Sequence, residues 1–152
     1  MIIFRLLIVL LFIHSNLKGQ VLEEVDLSSY RWQNRLILLF SSAEDNSDYQ
    51  EQLQFLANKD SELADRELLV FSFFENAIGI FNGKLIPKEQ VLANRKRYKI
   101  EKGDQVLILI GKDGGEKLRK PFLVQPTEVF GLIDQMPMRR QEMRRRKKAD
   151  YR

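Results

Sequence analysis

Three uninterrupted apolar runs constrain the fold of this chain more than any other feature of its sequence. They occupy residues 35–41 (RLILLFS), 68–74 (LLVFSFF) and 105–110 (QVLILI), and polar segments flank each one. A strand with one face in water alternates apolar and polar side chains, and these runs do not alternate. Each run therefore predicts a strand buried on both faces, which requires helices on both sides of one sheet.

Helices are predicted between these strands from side-chain spacing and from the positions of prolines. After a loop at residues 42–48, apolar side chains recur at helical spacing between Tyr49 and Leu56. Pro87 and Pro126 each suit the first turn of a further helix, because a backbone N–H has no helical partner at that position. The sequence thus predicts one helix after each of the first two strands and a third near the end of the chain.

A hairpin completes the predicted topology. Residues 112–115 (KDGG) predict a tight turn, since glycine supplies the positive φ that such turns need. Residues 117–124 then form an antiparallel strand, and Pro121 within it favours the sheet edge. The resulting order β-α-β-α-β-β-α is typical of an α/β, thioredoxin-like fold with a central mixed β-sheet flanked by helices. A basic C-terminal helical extension is expected after Pro137.

The near absence of sulfur and imidazole restricts the available chemistry. The 152 residues contain no cysteine and one histidine, His14. A disulfide, a thiol nucleophile and a Cys/His zinc site are therefore excluded from this sequence. His14 lies in a segment that we expect to be cleaved, so a Ser-His-Asp triad is excluded from the mature chain as well. No cofactor and no metal site are expected, and an enzyme is the less favoured class.

Residues 1–19 have the pattern of a secretory signal peptide. Arg5 precedes an apolar run at residues 6–13, and a mostly polar segment follows. The apolar stretch is too short to span a bilayer of about 30 Å as a helix. We expect cleavage after Gly19, with cleavage after Ser15 as the alternative, and hence a secreted or periplasmic protein with no transmembrane segment after signal removal.

Charge divides the remaining chain into an acidic body and a basic tail. Residues 138–152 contain eight Lys or Arg and two acidic residues, a net charge of +6. Residues 20–137 contain fifteen basic and nineteen acidic residues, a net charge of −4. A mildly acidic body does not indicate a nucleic-acid partner. The predicted organisation is a signal peptide (1–19), one domain (20–137) and a basic helical tail (138–152).

Several segments of the chain resemble a known family. They are residues 36–42 with 49–53, residues 65–71 (DRELLVF), residues 109–119 (LIGKDGGEKLR) and residues 132–144 (LIDQMPMRRQEMR). Together they resemble the bacterial DUF4174 family, whose members are similar to a peroxiredoxin-like domain of vertebrate secreted matrix proteins, including sushi-repeat proteins. The resemblance covers roughly residues 27–146. It implies a thioredoxin-like fold and export, and it implies no reaction.

The thioredoxin-like layout directs attention to the loop after the first strand. On the thioredoxin spacing from Phe40, Asp45 and Asp48 occupy the two cysteine positions, and a peroxiredoxin spacing places its single cysteine near Asp48 or Tyr49. Acidic residues there can cap the helix, or can form a metal or general-acid site with Glu44. The proline that precedes the third core strand in thioredoxins is replaced by a Gly-Asp-Gln segment at residues 103–105. The candidate ligand-binding residues are Ser42, Glu44, Asp45, Asp48, Gln105 and Arg119.

Two functions remain open from the sequence. The leading interpretation is an exported, cysteine-free binding or structural module, whose unknown partner could be a protein or an anionic polymer. The alternative is a cysteine-independent enzyme that uses the acidic loop. The tail is either a solvated helix end or a dock for an anionic surface, to which each basic residue contributes about 1 kcal/mol. The tail candidates are Arg144, Arg145, Arg146, Lys147 and Lys148.

Overall fold

The computed structural model describes residues 20–22 and 24–150, so the predicted signal peptide lies outside the described residues. A short 3-10 helix (Leu27–Tyr30) precedes the sheet. The strands are β1 (Arg35–Ser41), β2 (Leu68–Phe74), β3 (Gly79–Phe81), β4 (Lys84–Ile86), β5 (Val106–Ile110) and β6 (Glu116–Pro121). The α-helices are α1 (Ser47–Leu56), α2 (Asp60–Asp65), α3 (Lys88–Arg97), α4 (Pro126–Gln135) and α5 (Pro137–Asp150).

The six strands form one mixed sheet in the order β4-β3-β2-β1-β5-β6. β1 and β2 are parallel, with Arg35 opposite Leu68 at one end and Ser41 opposite Phe74 at the other. β1 and β5 are antiparallel, and so are all the remaining neighbours. The prediction of a central mixed sheet flanked by helices is confirmed. β6 lies at the sheet edge, as Pro121 predicted.

The core has two layers because β1 is buried on both faces. Ile37 and Leu39 pack in one cluster with α1 and α4. Leu38 and Phe40 belong to the cluster on the other face, which Val91 of α3 completes. Every residue of β1 is buried, which accounts for the absence of alternation in its sequence. Full burial of each large apolar side chain stabilises the fold by about 1.5–3 kcal/mol.

A hairpin of two short strands follows β2 and was not predicted from the sequence. β3 and β4 pair antiparallel, with Gly79 opposite Ile86. Asn82 and Gly83 form the turn, both with positive φ, as a two-residue hairpin of this kind requires. Strands of three residues are too short to show a period in the sequence, which is why neither was predicted.

The helix boundaries agree with the predicted start signals. Asn46 caps α1 by accepting hydrogen bonds from the backbone N–H groups of Asp48 and Tyr49 at 3.0 and 3.1 Å. α4 begins at Pro126 and ends at Gln135, and the basic helix α5 starts again at Pro137. Within the described ranges, no helix combines the length and the apolar character needed to cross a bilayer.

Gly79 is a position where the packing of α3 on the sheet demands a small residue. A Cβ atom there would lie 2.8 Å from Cγ2 of Val91 and 3.0 Å from Cβ of Ile86. We predict that Gly79→Ala lowers the free energy of unfolding by about 1–3 kcal/mol, because both neighbours belong to the core. Gly131→Ala is the matched control, since its Cβ meets no atom within 4 Å and alanine favours the helix. Urea denaturation in which both variants are equally stable would contradict the prediction.

Candidate functional site

The carboxyl end of β1 leads into the loop on which the sequence placed its candidate site. Ser41 ends the strand, and Asn46 caps α1 five residues later. Both the first turn of α1 and the end of β1 lie at this edge of the sheet, as the thioredoxin-like layout predicted. The cap of α1 is therefore Asn46, and Asp48 is an acidic residue in the first turn of the helix.

The predicted acidic residues do not assemble into a site. Glu44, Asp45 and Asp48 are all exposed. None of them forms an ion pair within the described residues, and no group of three or more metal-ligating side chains occurs there. Arg35, at the opposite end of a seven-residue strand, is about 20 Å away along the chain. The geometry therefore gives no support to an enzyme built on this loop.

Ser42 and Gln105 are brought together by the antiparallel pairing of β1 and β5. Ser41 Oγ donates a hydrogen bond to Gln105 Oε1 at 2.9 Å. The amide nitrogen of Gln105 donates in turn to Ser42 Oγ at 3.3 Å. These two candidate residues thus belong to one polar cluster at the carboxyl end of β1, which the acidic loop residues do not join.

Arg95 closes this cluster from α3, and the sequence analysis missed it. Its side chain is 8% exposed and donates to the carbonyl oxygens of Ser41 at 3.4 Å and Glu101 at 3.2 Å. Burial lowers the pKa of Arg95, and the carboxylates of Glu75 and Asp104 partly offset that effect. Arg95 begins a run of three basic residues in the last turn of α3, a pattern that is typical of a solvent-exposed helix end. Its burial therefore has no signal in the local sequence.

Arg119 lies on the edge strand β6 and does not reach the acidic loop. Its guanidinium forms two hydrogen bonds to Glu116, at 2.9 and 2.7 Å, and one to the carbonyl oxygen of Tyr98 at 3.0 Å. The hydrogen bond from Arg119 lowers the pKa of Glu116. Arg119 thus ties the edge strand to the end of α3.

A second polar centre lies at the amino end of β1 and was not predicted. Arg35 begins the strand and is 1% exposed. Its guanidinium binds both carboxylate oxygens of Glu142 on α5, each at 3.1 Å, and donates to the carbonyl oxygen of Arg66 at 3.0 Å. A bidentate arrangement of this kind is the strongest form of a charged hydrogen bond.

Lys112 shares the carboxylate of Glu142 with Arg35. Its ammonium nitrogen lies 2.8 Å from Oε1 of Glu142 and also pairs with Glu67. Burial alone would raise the pKa of Glu142, but the hydrogen bonds from Arg35 and Lys112 outweigh that effect and lower the pKa below its ordinary value. Glu142 is therefore an ionised carboxylate held between two buried cations.

Further ion pairs extend this centre along α5 and α4. Arg139, which is buried, pairs with Asp65 and lies 3.2 Å from Asp134. Arg66 binds the other oxygen of Asp134 at 2.6 Å. Arg139 and Glu142 fall within the predicted tail, yet both contact the body of the domain. These contacts fix the first half of α5 to the body of the domain. The domain boundary at residue 137 stays a prediction.

We call the connected set the α5 ion-pair network. Its members come from β1, from the ends of β2 and β5, and from helices α2, α4 and α5. Five are basic and four are acidic, so the network carries one positive charge in excess. The members are Arg35, Arg66, Lys112, Arg139, Arg146, Asp65, Glu67, Asp134 and Glu142.

A pocket of about 500 Å³ opens beside this network. It lies between the turn that joins β5 to β6 and the junction of α4 with α5, and its surface is mostly apolar. Arg35 and Lys112 line it on the network side. None of the loop residues that the sequence proposed as ligand-binding lines this pocket.

The tail candidates divide according to the face of α5. Arg146 pairs with Asp65 on α2 and so faces the body. Arg144, Arg145, Lys147 and Lys148 are exposed. The network side of α5 is therefore held against the domain, although all five candidates, Arg146 included, are exposed to solvent.

Comparisons with known proteins agree with the resemblance noted in the sequence. The family described as "Domain of unknown function (DUF4174)" matches residues 26–142. Among curated proteins, the human "Sushi repeat-containing protein SRPX" is 29% identical over 120 residues, which cover 77% of this chain and 26% of the human protein. The mouse "Sushi-repeat-containing protein SRPX" is 28% identical over 120 residues, with the same coverage. The chain thus spans about a quarter of the length of these relatives.

Solved structures confirm the fold. The reduced 2-Cys peroxiredoxin of Plasmodium vivax superposes with a TM-score of 0.58 at 13% identity, covering 77% of this chain and 85% of that chain. The thioredoxin peroxidase I of Plasmodium yoelii gives a TM-score of 0.55 at 15% identity, covering 77% of this chain and 80% of that chain. At such identities the likeness shows the fold alone, and the predicted thioredoxin-like fold is confirmed.

The network makes Glu142 a strong determinant of stability. We predict that Glu142→Gln lowers the free energy of unfolding by about 3 kcal/mol, because it leaves the buried cations Arg35 and Lys112 without their shared carboxylate. The matched control is Glu128→Gln, which removes an exposed ion pair to Lys120 and should cost less than about 1 kcal/mol. Urea denaturation at neutral pH gives both values, and equal losses would show that the network does not hold α5.

The same variant tests the pH dependence of the network. The pKa of Glu142 is lowered in the folded state from an ordinary value of 4.5, so its stabilising effect is complete above pH 4.5 and is lost as the pH falls through the folded pKa. The difference in unfolding free energy between wild type and Glu142→Gln should therefore be constant above that pH and should narrow below it. A difference that widens on acidification would contradict this assignment.

Proposed function

The chain belongs to the DUF4174 family, and we propose that its thioredoxin-like domain is exported and acts as a binding or structural module without thiol redox chemistry. The observation that carries the proposal is the polar cluster at the carboxyl end of β1. Ser41, Gln105 and Arg95 are hydrogen-bonded to one another at the strand end that precedes the loop where thioredoxins carry reactive sulfur. The chain of 152 residues contains no cysteine that could act there in another register.

The hydroxyl groups in this cluster lack the partner that nucleophilic catalysis requires. A serine becomes a nucleophile when an adjacent base accepts its proton. Ser41 Oγ instead bonds to the amide oxygen of Gln105 at 2.9 Å, and an amide is not a base at neutral pH. Arg95 is a donor only, and it binds backbone carbonyl oxygens. These contacts support a structural role for the cluster.

Export is proposed from the sequence of residues 1–19, which lie outside the described residues. Arg5, the apolar run and the polar segment before Gly19 follow the order of a signal peptide. Export would place the domain in the periplasm or outside the cell. An oxidising compartment cannot damage this domain by thiol oxidation, since the chain has no cysteine.

Thiol assays test the non-redox proposal directly. We expect the purified protein to consume no peroxide and to reduce no insulin above the buffer rate, because no residue of the chain can form a sulfenic acid or a disulfide. The matched variant is Asp48→Cys, which places one thiol at the exposed first turn of α1. A thiol reagent should titrate one thiol per molecule in this variant and none in the wild-type protein. Peroxide consumption by the wild-type protein that disappears on unfolding would overturn the proposal.

We further propose that the exposed face of α5 docks on an anionic surface, for which a phospholipid membrane is the test case. Arg144, Arg145, Lys147 and Lys148 are exposed on one helix. The ion pairs of Arg139 and Glu142 hold that helix on the body, so the four charges act from a defined position. At about 1 kcal/mol each, four such charges suffice for measurable binding to an anionic bilayer.

Co-sedimentation with phosphatidylglycerol vesicles tests this dock. Changing Arg144, Arg145, Lys147 and Lys148 to Gln should abolish pelleting at low salt, whereas Arg146 is kept because it pairs with the body. The control changes four exposed cations near α3, Lys88, Lys96, Arg97 and Lys99, and should pellet like wild type. Binding should weaken with salt, since the screening length is about 8 Å at 0.15 M. Equal pelleting of the two variants would show that α5 is only a solvated helix end.

A further inference from the structure

The pocket beside the α5 ion-pair network has the dimensions of a small-molecule site. Its volume of about 500 Å³ falls within the range of roughly 300–1,000 Å³ that is usual for ligand pockets. Its apolar wall consists of Leu132 on α4, Met136 and Pro137 at the helix junction, and Met138 on α5. It lies at the amino end of β1, opposite the edge of the sheet where thioredoxin-like proteins carry their chemistry.

The polar side of the pocket offers hydrogen-bond donors that are not fully used. Arg35 is 1% exposed, and its Nε has no partner among the described residues. The ammonium group of Lys112 has three N–H donors, and within the same described part of the chain it contacts two carboxylates, those of Glu67 and Glu142. Nε of Arg35 is sealed from solvent, so Lys112, which lines the pocket, is the donor left for an acceptor there.

The charge around the pocket favours an anion. At the pocket, Arg35 and Lys112 share the single carboxylate of Glu142, so these three groups carry one positive charge, while the more exposed Glu67 pairs with Lys112 from the outer side. The other two charged residues of the lining, Lys117 and Asp113, lie 2.6 Å apart and neutralise each other. A single negative charge in the pocket would therefore balance the network, in surroundings where low polarity strengthens the attraction.

We infer that this pocket binds a small organic anion with an apolar body, such as an aryl or alkyl carboxylate. The carboxylate faces Lys112 and Arg35, and the apolar body lies against Leu132, Met136 and Met138. The inference rests on the proposed function of the domain as a binding module, and it names the class of ligand and the place where it binds.

The experiment compares two probes that differ in charge and share their apolar body. 4-Phenylbutyrate and 4-phenylbutan-1-ol are titrated into the protein by calorimetry, and the acid is expected to bind at least about tenfold more tightly. Met138→Trp fills the mouth of the pocket and should abolish binding of the acid. Leu92→Trp is the matched control, because Leu92 is an exposed apolar residue on α3, across the sheet. Melting curves verify that both variants are folded.

Amide chemical shifts locate the bound acid. Shifts concentrated at residues 111–113 and 132–138 support the inference, and shifts concentrated at residues 41–48 overturn it. Equal affinity for the two probes, no binding of the acid, or full binding to Met138→Trp also overturns it. If the pocket fails these tests while the thiol assays show no activity, the non-redox role stands without this ligand. If thiol activity is found, the proposed function fails whatever the pocket binds.

Discussion

The bidentate ion pair between Arg35 and Glu142 is the interaction on which the amino end of the sheet depends. An arginine at the start of a central strand cannot be buried without a carboxylate partner, because desolvation of an isolated charge costs several kcal/mol. Glu142 on the last helix supplies that carboxylate, which also forms an ion pair with Lys112. Together with the ion pairs of Arg139 and Arg146 to Asp65, this contact fixes the position of α5 and the orientation of its basic face.

The two ends of β1 have opposite characters within one fold. At the carboxyl end, Ser41, Gln105 and Arg95 satisfy one another and the nearby backbone. At the amino end, the network stands beside a pocket and retains an unpaired donor on Arg35. A thioredoxin-like fold ordinarily directs attention to the first of these ends. In this protein the described residues place the open, charged concavity at the second.

The sequence predicted those features that depend on neighbours along the chain. The strands of the core were predicted because burial on both faces leaves an unbroken apolar run, as at Arg35–Ser41. Caps and helix starts such as Asn46 and Pro126 are also local signals. The ion pair of Arg35 and the burial of Arg95 were not predicted, because they depend on partners such as Glu142 and Ser41 that are distant in sequence. The acidic loop was located correctly, but the outward direction of its carboxylates is set by the turn and the cap.

The separation of 107 positions between Arg35 and Glu142 also orders the events by which this chain reaches its native state. The paired residues of β1 and β2 are about thirty positions apart in sequence. The ion pair between Arg35 and Glu142 forms only when the last helix has been synthesised and has docked. Closure of so long a loop carries a larger entropic cost than local pairing. Arg35 therefore stays hydrated until the C-terminal helix docks, and we expect its burial to be among the last steps of folding.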